Sequence, residues 1–151
     1  ERAVAIRPDE YQTLSYLAMA YQSRGDKENM LETSRRMVKA AARAIMLNPG
    51  DSRALYLGAI NLERIGEHEQ AAEWAERALH LDPTHPVMLY NLACFHSVAG
   101  RVDEALDLIE KALDLGVLHR ERYLTDSDLE NARRDPRFHE LMERKFQEEE
   151  K

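Results

Sequence analysis

Histidine and cysteine are the residue types of this chain that could serve acid–base, metal or thiol chemistry. The sequence holds six histidines and one cysteine. His80, Asp82 and His85 bracket a turn and carry metal-binding atoms, but a zinc site needs ligands in a fixed geometry, which this spacing does not supply. His68-Glu69 lacks the second histidine of a zinc-protease helix. We therefore interpret these histidines as turn and helix-end residues.

The remaining chemical signals also give no sign of an active site. No glycine-rich phosphate loop and no G-x-S-x-G motif occurs, and the six glycines stand singly. Cys94 is expected to be a small core or groove residue rather than a reactive thiol. We expect a protein without enzymatic activity, cofactor or metal. A single cysteine also excludes an internal disulfide and fits a reducing, cytoplasmic compartment.

The stretch from Ser52 to Pro83 forms one complete unit of two predicted helices. Its first part keeps an apolar face at helical spacing until Gly66, and its second part keeps another until Pro83. The pattern recurs thirty-four residues later around Gly100, and Pro49 to Pro83 is also thirty-four residues. A fixed period with two helices per unit predicts a solenoid of helical hairpins. Leu, Ala, Glu and Arg dominate, so we expect an all-α fold with no strand.

The spacing of small and large residues in these units resembles the tetratricopeptide repeat family. In residues 50–83 the resemblance is carried by Leu55, Gly58, Ala59, Leu62, Gly66, Ala71, Ala75, Ala78 and Pro83. In residues 84–117 it is carried by Leu89, Leu92, Ala93, Gly100, Ala105, Ile109 and Ala112. The resemblance covers roughly residues 9–117. It implies a right-handed superhelical solenoid of antiparallel helical hairpins, whose first helices line a concave groove.

The repeat period divides the chain into five segments. Residues 1–8 match the end of a second helix, so the chain begins inside a repeat and we expect a piece of a longer protein. Residues 9–49 form the first full repeat, and residues 50–83 and 84–117 form the next two. Residues 118–151 form a degenerate repeat and a capping helix.

The first full repeat is seven residues longer than the period. Seven residues are close to two helical turns, so an insertion of that length returns to nearly the same helix face. We predict a lengthened second helix from about Lys27 to Leu47; the alternative is a lengthened turn. The residues that keep its apolar side are Met30, Met37, Val38, Ala41, Ala44 and Ile45.

The C-terminal part departs from the repeat pattern and predicts a cap. Ser127 with Glu130 matches a capping box, and Asp135-Pro136 predicts the start of a last helix. The apolar face of that helix is formed by Phe138, Leu141, Met142 and Phe146. The segment from Ser127 to Leu141 also resembles the ending of tetratricopeptide regions that trail bacterial multidomain signalling proteins, such as nucleotide cyclases and serine/threonine kinases.

The charge and hydropathy of the chain indicate which partners to expect. A formal net charge of −7 argues against nucleic acid, because such partners require a basic face. No apolar run is long enough to span a bilayer, so we expect no membrane partner. We therefore expect the partner to be a protein or a peptide. The truncated N-terminal end also predicts an exposed apolar face around Leu14, Leu17 and Tyr21 that could form a homodimer.

The predicted groove is a strip of residues on successive first helices. Because they are one period apart, Tyr56 should stack on Tyr90, Ile60 on Cys94 and Arg53 on Val87. The candidate peptide-binding residues are Ser15, Met19, Arg53, Tyr56, Ile60, Tyr90, Asn91 and Cys94. Such a strip suits a partner with hydrophobic anchors. The alternative is that the two tyrosines are helix-packing residues.

Two functions follow from the resemblance. The first is a protein–protein interaction module that binds a partner peptide or helix in the groove, within a larger bacterial signalling or regulatory protein. The alternative is a structural spacer or homodimerisation element of that protein, without a peptide ligand.

Overall fold

The computed structural model describes residues 10–116 and 119–147. Every regular element in these ranges is helical, so the prediction of an all-α helical repeat is confirmed. The chain divides into two compact units, Glu1–Pro83 (unit 1) and Thr84–Lys151 (unit 2). The predicted helix end at residues 1–8 lies outside the described residues.

The described part of unit 1, residues 10–83, consists of two helical hairpins. Its helices are α1 (Tyr11–Ser23), α2 (Lys27–Leu47), α3 (Ser52–Arg64) and α4 (His68–Leu81). α1 pairs with α2, α3 pairs with α4, and α2 also packs on α3. Gly25 and Gly66 turn the chain inside the hairpins, with φ angles of 72° and 85° that glycine adopts without strain.

The second helix of the first full repeat is lengthened, as predicted. α2 has 21 residues and its counterpart α4 has 14. Seven extra residues make α2 about 10 Å longer at 1.5 Å per residue. Met37, Ala41 and Ile45 are buried along the whole helix, which shows that the insertion keeps the same face toward the core. The alternative of a lengthened turn is wrong.

Gly58 lies at a close contact between α3 and α4. A Cβ atom on Gly58 would lie 2.4 Å from Cζ3 of Trp74 and 3.7 Å from the Cβ atom of Ala41. The indole of Trp74 therefore packs directly on the backbone of α3, which only glycine permits. Trp74 is buried, so this contact belongs to the core of unit 1.

Asn61 joins three helices of unit 1 through buried hydrogen bonds. Its Oδ1 accepts a hydrogen bond from Ser34 of α2 at 2.9 Å, and its Nδ2 donates to Ser15 of α1 at 3.1 Å. Arg64 donates from Nη1 to Asn61 Oδ1 at 3.1 Å and from Nε to Gln22 of α1 at 2.8 Å. Because buried polar groups are costly without partners, this network fixes how α1 and α2 align with α3.

Unit 2 has one regular hairpin and a C-terminal cap. Its elements are α5 (Pro86–Val98), α6 (Val102–Asp114), α7 (Arg120–Thr125), a 3-10 helix (Ser127–Leu129), α8 (Glu130–Arg133) and α9 (Pro136–Gln147). α5 pairs with α6, the 3-10 helix and α8 pack on α5, and α9 packs on α6 and α8. The proline-initiated capping helix is therefore confirmed as α9. Phe138, Leu141 and Met142 are buried there, while Phe146 is half-buried.

The predicted capping box of Ser127 and Glu130 is wrong. The residue that caps this turn is Asp126, whose Oδ1 accepts a hydrogen bond from the Asp128 backbone at 2.9 Å. Glu130 instead pairs with Arg134 at 2.5 Å on the surface of α8. Asp126 is a better acceptor than the Ser127 hydroxyl because its charged carboxylate strengthens the hydrogen bond.

We expect Gly58→Ala to destabilise unit 1, because the new methyl group overlaps the Trp74 indole. Overpacking of this kind exceeds the helix-propensity gain of alanine, which leaves a net loss of about 2 kcal/mol in unfolding free energy. Urea unfolding followed by circular dichroism measures the loss. Gly50→Ala is the matched control, since its Cβ atom would lie 3.4 Å from the nearest atom, Asn48 Oδ1.

A variant with a smaller residue at position 74 distinguishes the overlap with the Trp74 indole from other effects of Gly58→Ala. In a Trp74→Leu background, Gly58→Ala should no longer destabilise the protein. A Gly58→Ala protein as stable as the wild type would contradict this account of the α3–α4 contact.

Candidate partner-binding face

The predicted groove residues lie on the first helices of the hairpins, which are α1 and α3 in unit 1 and α5 in unit 2. In unit 1 these helices carry a cluster of one arginine and three tyrosines, Tyr11, Tyr16, Arg53 and Tyr56, here called the Arg–Tyr cluster. Arg53 and Tyr16 are exposed, Tyr11 is half-buried and Tyr56 is buried. The stacking predicted between α3 and α5 stays a prediction.

Asp51 positions the Arg–Tyr cluster at the start of α3. Its Oδ1 accepts a hydrogen bond from the Ala54 backbone at 3.0 Å and so caps the helix. The hydroxyl of Tyr11 donates to both Asp51 oxygens at 3.2 Å, which ties α1 to this cap. Arg53 and Tyr56 are three residues apart in the helix that begins here, so both lie on the same helix face.

The electrostatics of the cluster leave one exposed positive charge. A hydrogen bond with Tyr56 raises the pKa of Arg53. Burial raises the pKa of Tyr56 and of Tyr11, so both phenols are neutral at pH 7. No carboxylate of the described residues lies within 4.0 Å of the Arg53 guanidinium. The arginine can therefore accept an anionic group from a partner, with hydroxyl groups beside it.

Three of the predicted groove residues of unit 1 are buried. Ser15 is 6% exposed and holds the buried Asn61, while Tyr56 and Ile60 are 4% and 3% exposed. Their assignment to a peptide-binding groove stays a prediction. Arg53 is exposed and Met19 is half-buried, so these two side chains remain accessible.

In unit 2, residues 119–133, here called the C-terminal segment, cover the predicted groove residues of α5. The hydroxyl of Tyr90 donates to Asp126 Oδ2 at 2.5 Å, and its ring meets Tyr123 edge to face with centroids 5.2 Å apart. The guanidinium of Arg122 lies 5.1 Å from the centroid of the Tyr90 ring. Cys94 Sγ lies 3.9 Å from the same carboxylate oxygen.

The assignment of Tyr90 and Cys94 to a peptide-binding groove likewise stays a prediction. Both are buried, at 1% and 2% exposure, because the C-terminal segment covers this face of α5. Asn91 is half-buried, and its Nδ2 donates to the Val87 carbonyl at 2.8 Å. Burial raises the pKa of both Tyr90 and Cys94, so the thiol stays protonated and is no candidate nucleophile.

Two residues of these faces, Tyr16 and Asp126, were not predicted from the sequence. Tyr16 is the most exposed aromatic residue of the described chain at 57%, and its spacing of three residues from Met19 on α1 could have revealed it. Asp126 gave no comparable signal, because it lies 36 residues from Tyr90 and outside the repeat pattern.

The histidines of the predicted turn have structural roles. The ring Nδ1 of His80 lies 2.8 Å from the Glu76 carbonyl at the end of α4, and His85 caps α5 by accepting from the Met88 backbone at 3.1 Å. Within residues 10–116 and 119–147, no group of three His, Cys, Asp or Glu side chains is placed to hold a metal ion. None of the described helices has the length and apolarity that a membrane span requires.

Comparison with known families agrees with this architecture. Residues 65–125 match the family model described as Tetratricopeptide repeat. Tetratricopeptide repeats generally mediate protein–protein interaction and are generally non-enzymatic scaffolds. The match covers the α5–α6 hairpin and continues to the end of α7.

Individual proteins are similar to parts or to most of the chain. An 86-residue stretch, 55% of the chain, is 33% identical to a chloroplastic protein of Arabidopsis thaliana. The chain spans 26% of the length of that curated relative. One solved structure of MamA is 18% identical with a TM-score of 0.47, and the match covers 95% of this chain and 77% of that chain. A second MamA structure is 17% identical with a TM-score of 0.45, and the match covers 98% of this chain and 85% of that chain.

We expect the thiol of Cys94 to be protected in the folded protein. Burial under the C-terminal segment should slow its reaction with Ellman's reagent at pH 8 by at least about 100-fold relative to the urea-unfolded chain. Asp126→Ala removes the acceptor of Tyr90 and should accelerate the reaction. Asp107→Ala, on the exposed side of α6, is the control that should not. A native thiol that reacts as fast as the unfolded one would show that the C-terminal segment does not cover α5.

Proposed function

We propose that the chain is a protein–protein interaction module that binds a partner peptide or helix on the exposed face of α1 and α3. The observation that carries this proposal is the exposed Arg53 guanidinium, which has no described carboxylate within 4.0 Å and interacts with Tyr56 of the Arg–Tyr cluster. Met19 and Tyr16 extend the face along α1 with apolar and aromatic surface. Interfaces concentrate their binding energy in such Arg and Tyr residues.

The partner chemistry follows from these side chains. Arg53 suits a carboxylate, and the exposed phenol of Tyr16 adds a hydrogen-bond donor for the same group. Tyr16, at 57% exposure, offers an aromatic surface to an apolar side chain of the same partner segment. We assign Tyr56, Ile60, Tyr90 and Cys94 to packing rather than to direct contact with a partner.

The biological setting is part of the proposal. We place this module in the cytoplasm, within a larger bacterial signalling or regulatory protein. The single cysteine supports the compartment, and the resemblance of residues 127–141 to the ends of tetratricopeptide regions in such proteins supports the context. Identifying the domain encoded next to this region in the full-length chain tests the setting directly.

We expect Arg53→Glu to weaken partner binding by at least about 30-fold, the loss typical of an interface hot spot. Isothermal titration calorimetry with a captured partner measures it. Lys111→Glu, an equal charge change on the exposed side of α6, should leave affinity unchanged. Tyr90→Phe should lower stability without changing affinity, because its hydroxyl bonds Asp126.

Two results would contradict the proposal. One is an Arg53→Glu protein that binds the partner as tightly as the wild type. The other is self-association in light scattering without capture of any partner, which would favour the homodimerisation element.

A further inference from the structure

The second half of α2 concentrates positive charge on an acidic protein. Residues 33–50 contain four basic side chains, Arg35, Arg36, Lys39 and Arg43, and no acidic one, although the chain has a formal net charge of −7. All four side chains are exposed. The helix then ends with Met46 and Leu47, which are 83% and 90% exposed.

These six residues form one face of the helix, here called the cationic face. At 100° per residue they fall within an arc of about 120°. The buried residues Met37, Ala41 and Ile45 lie on the opposite side of α2 and pack into unit 1. From Arg35 to Leu47 the face extends about 18 Å at 1.5 Å per residue. The seven-residue extension of α2 therefore presents Arg43 and the apolar pair on the same side as the first three cations.

Three of the four cations form no ion pair with the described residues. No carboxylate of residues 10–116 or 119–147 lies within 4.0 Å of Arg35, Arg36 or Lys39. By contrast, basic residues of α9 are paired with α6: Arg137 lies 2.7 Å from Asp103, and Arg144 lies 2.7 Å from Glu110. A row of exposed cations next to two exposed apolar side chains is the feature expected of a binding surface.

We propose that the cationic face binds an acidic amphipathic helix of a partner protein. Carboxylates spaced along one side of that helix pair with Arg35, Arg36 and Lys39. An apolar side chain at one end of it covers Met46 and Leu47. A helix of about 12 residues matches the 18 Å length of the face. This surface is separate from the Arg–Tyr cluster of α1 and α3 and does not depend on the function proposed for it.

The surrounding charge favours a helix over a larger anionic surface. Glu28 and Glu32 are exposed on the first half of α2, and Glu73, Glu76 and Arg77 line the same surface pocket as Pro49, beyond the end of α2. A bilayer or a nucleic-acid duplex is larger than the cationic face and would also meet these carboxylates, which repel an anionic surface. A single helix, about 10 Å wide, can be confined to the cationic face.

A synthetic peptide tests the proposal. The probe is a fluorescein-labelled helical peptide of about 18 residues of Ala, Leu and Glu, with glutamates along one side and two leucines at one end. Fluorescence anisotropy should show binding that weakens at about 0.5 M salt, because exposed charges are then screened. Arg36→Glu with Lys39→Glu should weaken binding at least about 10-fold. Arg24→Glu with Lys111→Glu makes the same change in net charge elsewhere and should leave it unchanged.

Two further comparisons test the chemistry of the occupant. The same peptide with glutamine in place of glutamate should bind at least about 10-fold more weakly. Met46→Ser with Leu47→Ser should also weaken binding of the glutamate peptide, which pure charge attraction would not explain. Circular dichroism melts verify that each variant is folded.

Three results would overturn the proposal. The first is no binding of the glutamate peptide at millimolar concentration. The second is an equal loss in the charge-matched control. The third is tighter binding to vesicles containing phosphatidylserine, or to a DNA duplex, than to the peptide, if Arg36→Glu with Lys39→Glu abolishes it. That result would assign the face to a membrane or to nucleic acid.

Discussion

Each helical hairpin of this chain has an apolar face that only a neighbouring element can bury, and this constraint determines which surfaces stay open. In unit 1, α2 covers α3, and Asn61 satisfies the polar groups enclosed between them. In unit 2, the regular repeat ends after α6, so the C-terminal segment and α9 cover the hairpin instead. The hydrogen bond from Tyr90 to Asp126 joins α5 to the C-terminal segment. The α5 face is thereby used for folding, while Tyr16 on α1 and Arg53 on α3 remain exposed.

The polar contacts at these covered faces differ in kind from those on the surface. Ser15, Ser34 and Asn61 are enclosed with their partners, so losing one of them would leave a buried group unsatisfied. The exposed pairs between α6 and α9, such as Arg144 with Glu110, are screened by solvent and contribute little. Exposed cations without a carboxylate beside them are therefore the more informative surface feature. Arg53 on α3 and Arg35, Arg36 and Lys39 on α2 are such cations, on different helices of the same unit.

Much of the fold could be predicted from the sequence because its causes are local. The length of α2 follows from an insertion of two helical turns that keeps Met37, Ala41 and Ile45 on one side, and the start of α9 follows from Pro136. The candidate site could be predicted only in part. Periodicity assigns Tyr56 and Tyr90 to equivalent helix positions, but their exposure depends on what covers them. For Tyr90 that cover is Asp126 and Tyr123, which lie outside the repeat pattern.

The central claim is that a partner binds on the exposed face of α1 and α3 and leaves α5 covered by the C-terminal segment. Amide hydrogen exchange with and without a bound partner tests it most directly, because protection reports which backbone segments the partner contacts or stabilises. Our account predicts added protection in residues 11–23 and 52–64, with exchange in residues 119–133 unchanged. Protection confined to residues 86–98, together with faster exchange in residues 119–133, would contradict it, since the partner would then replace the C-terminal segment on α5.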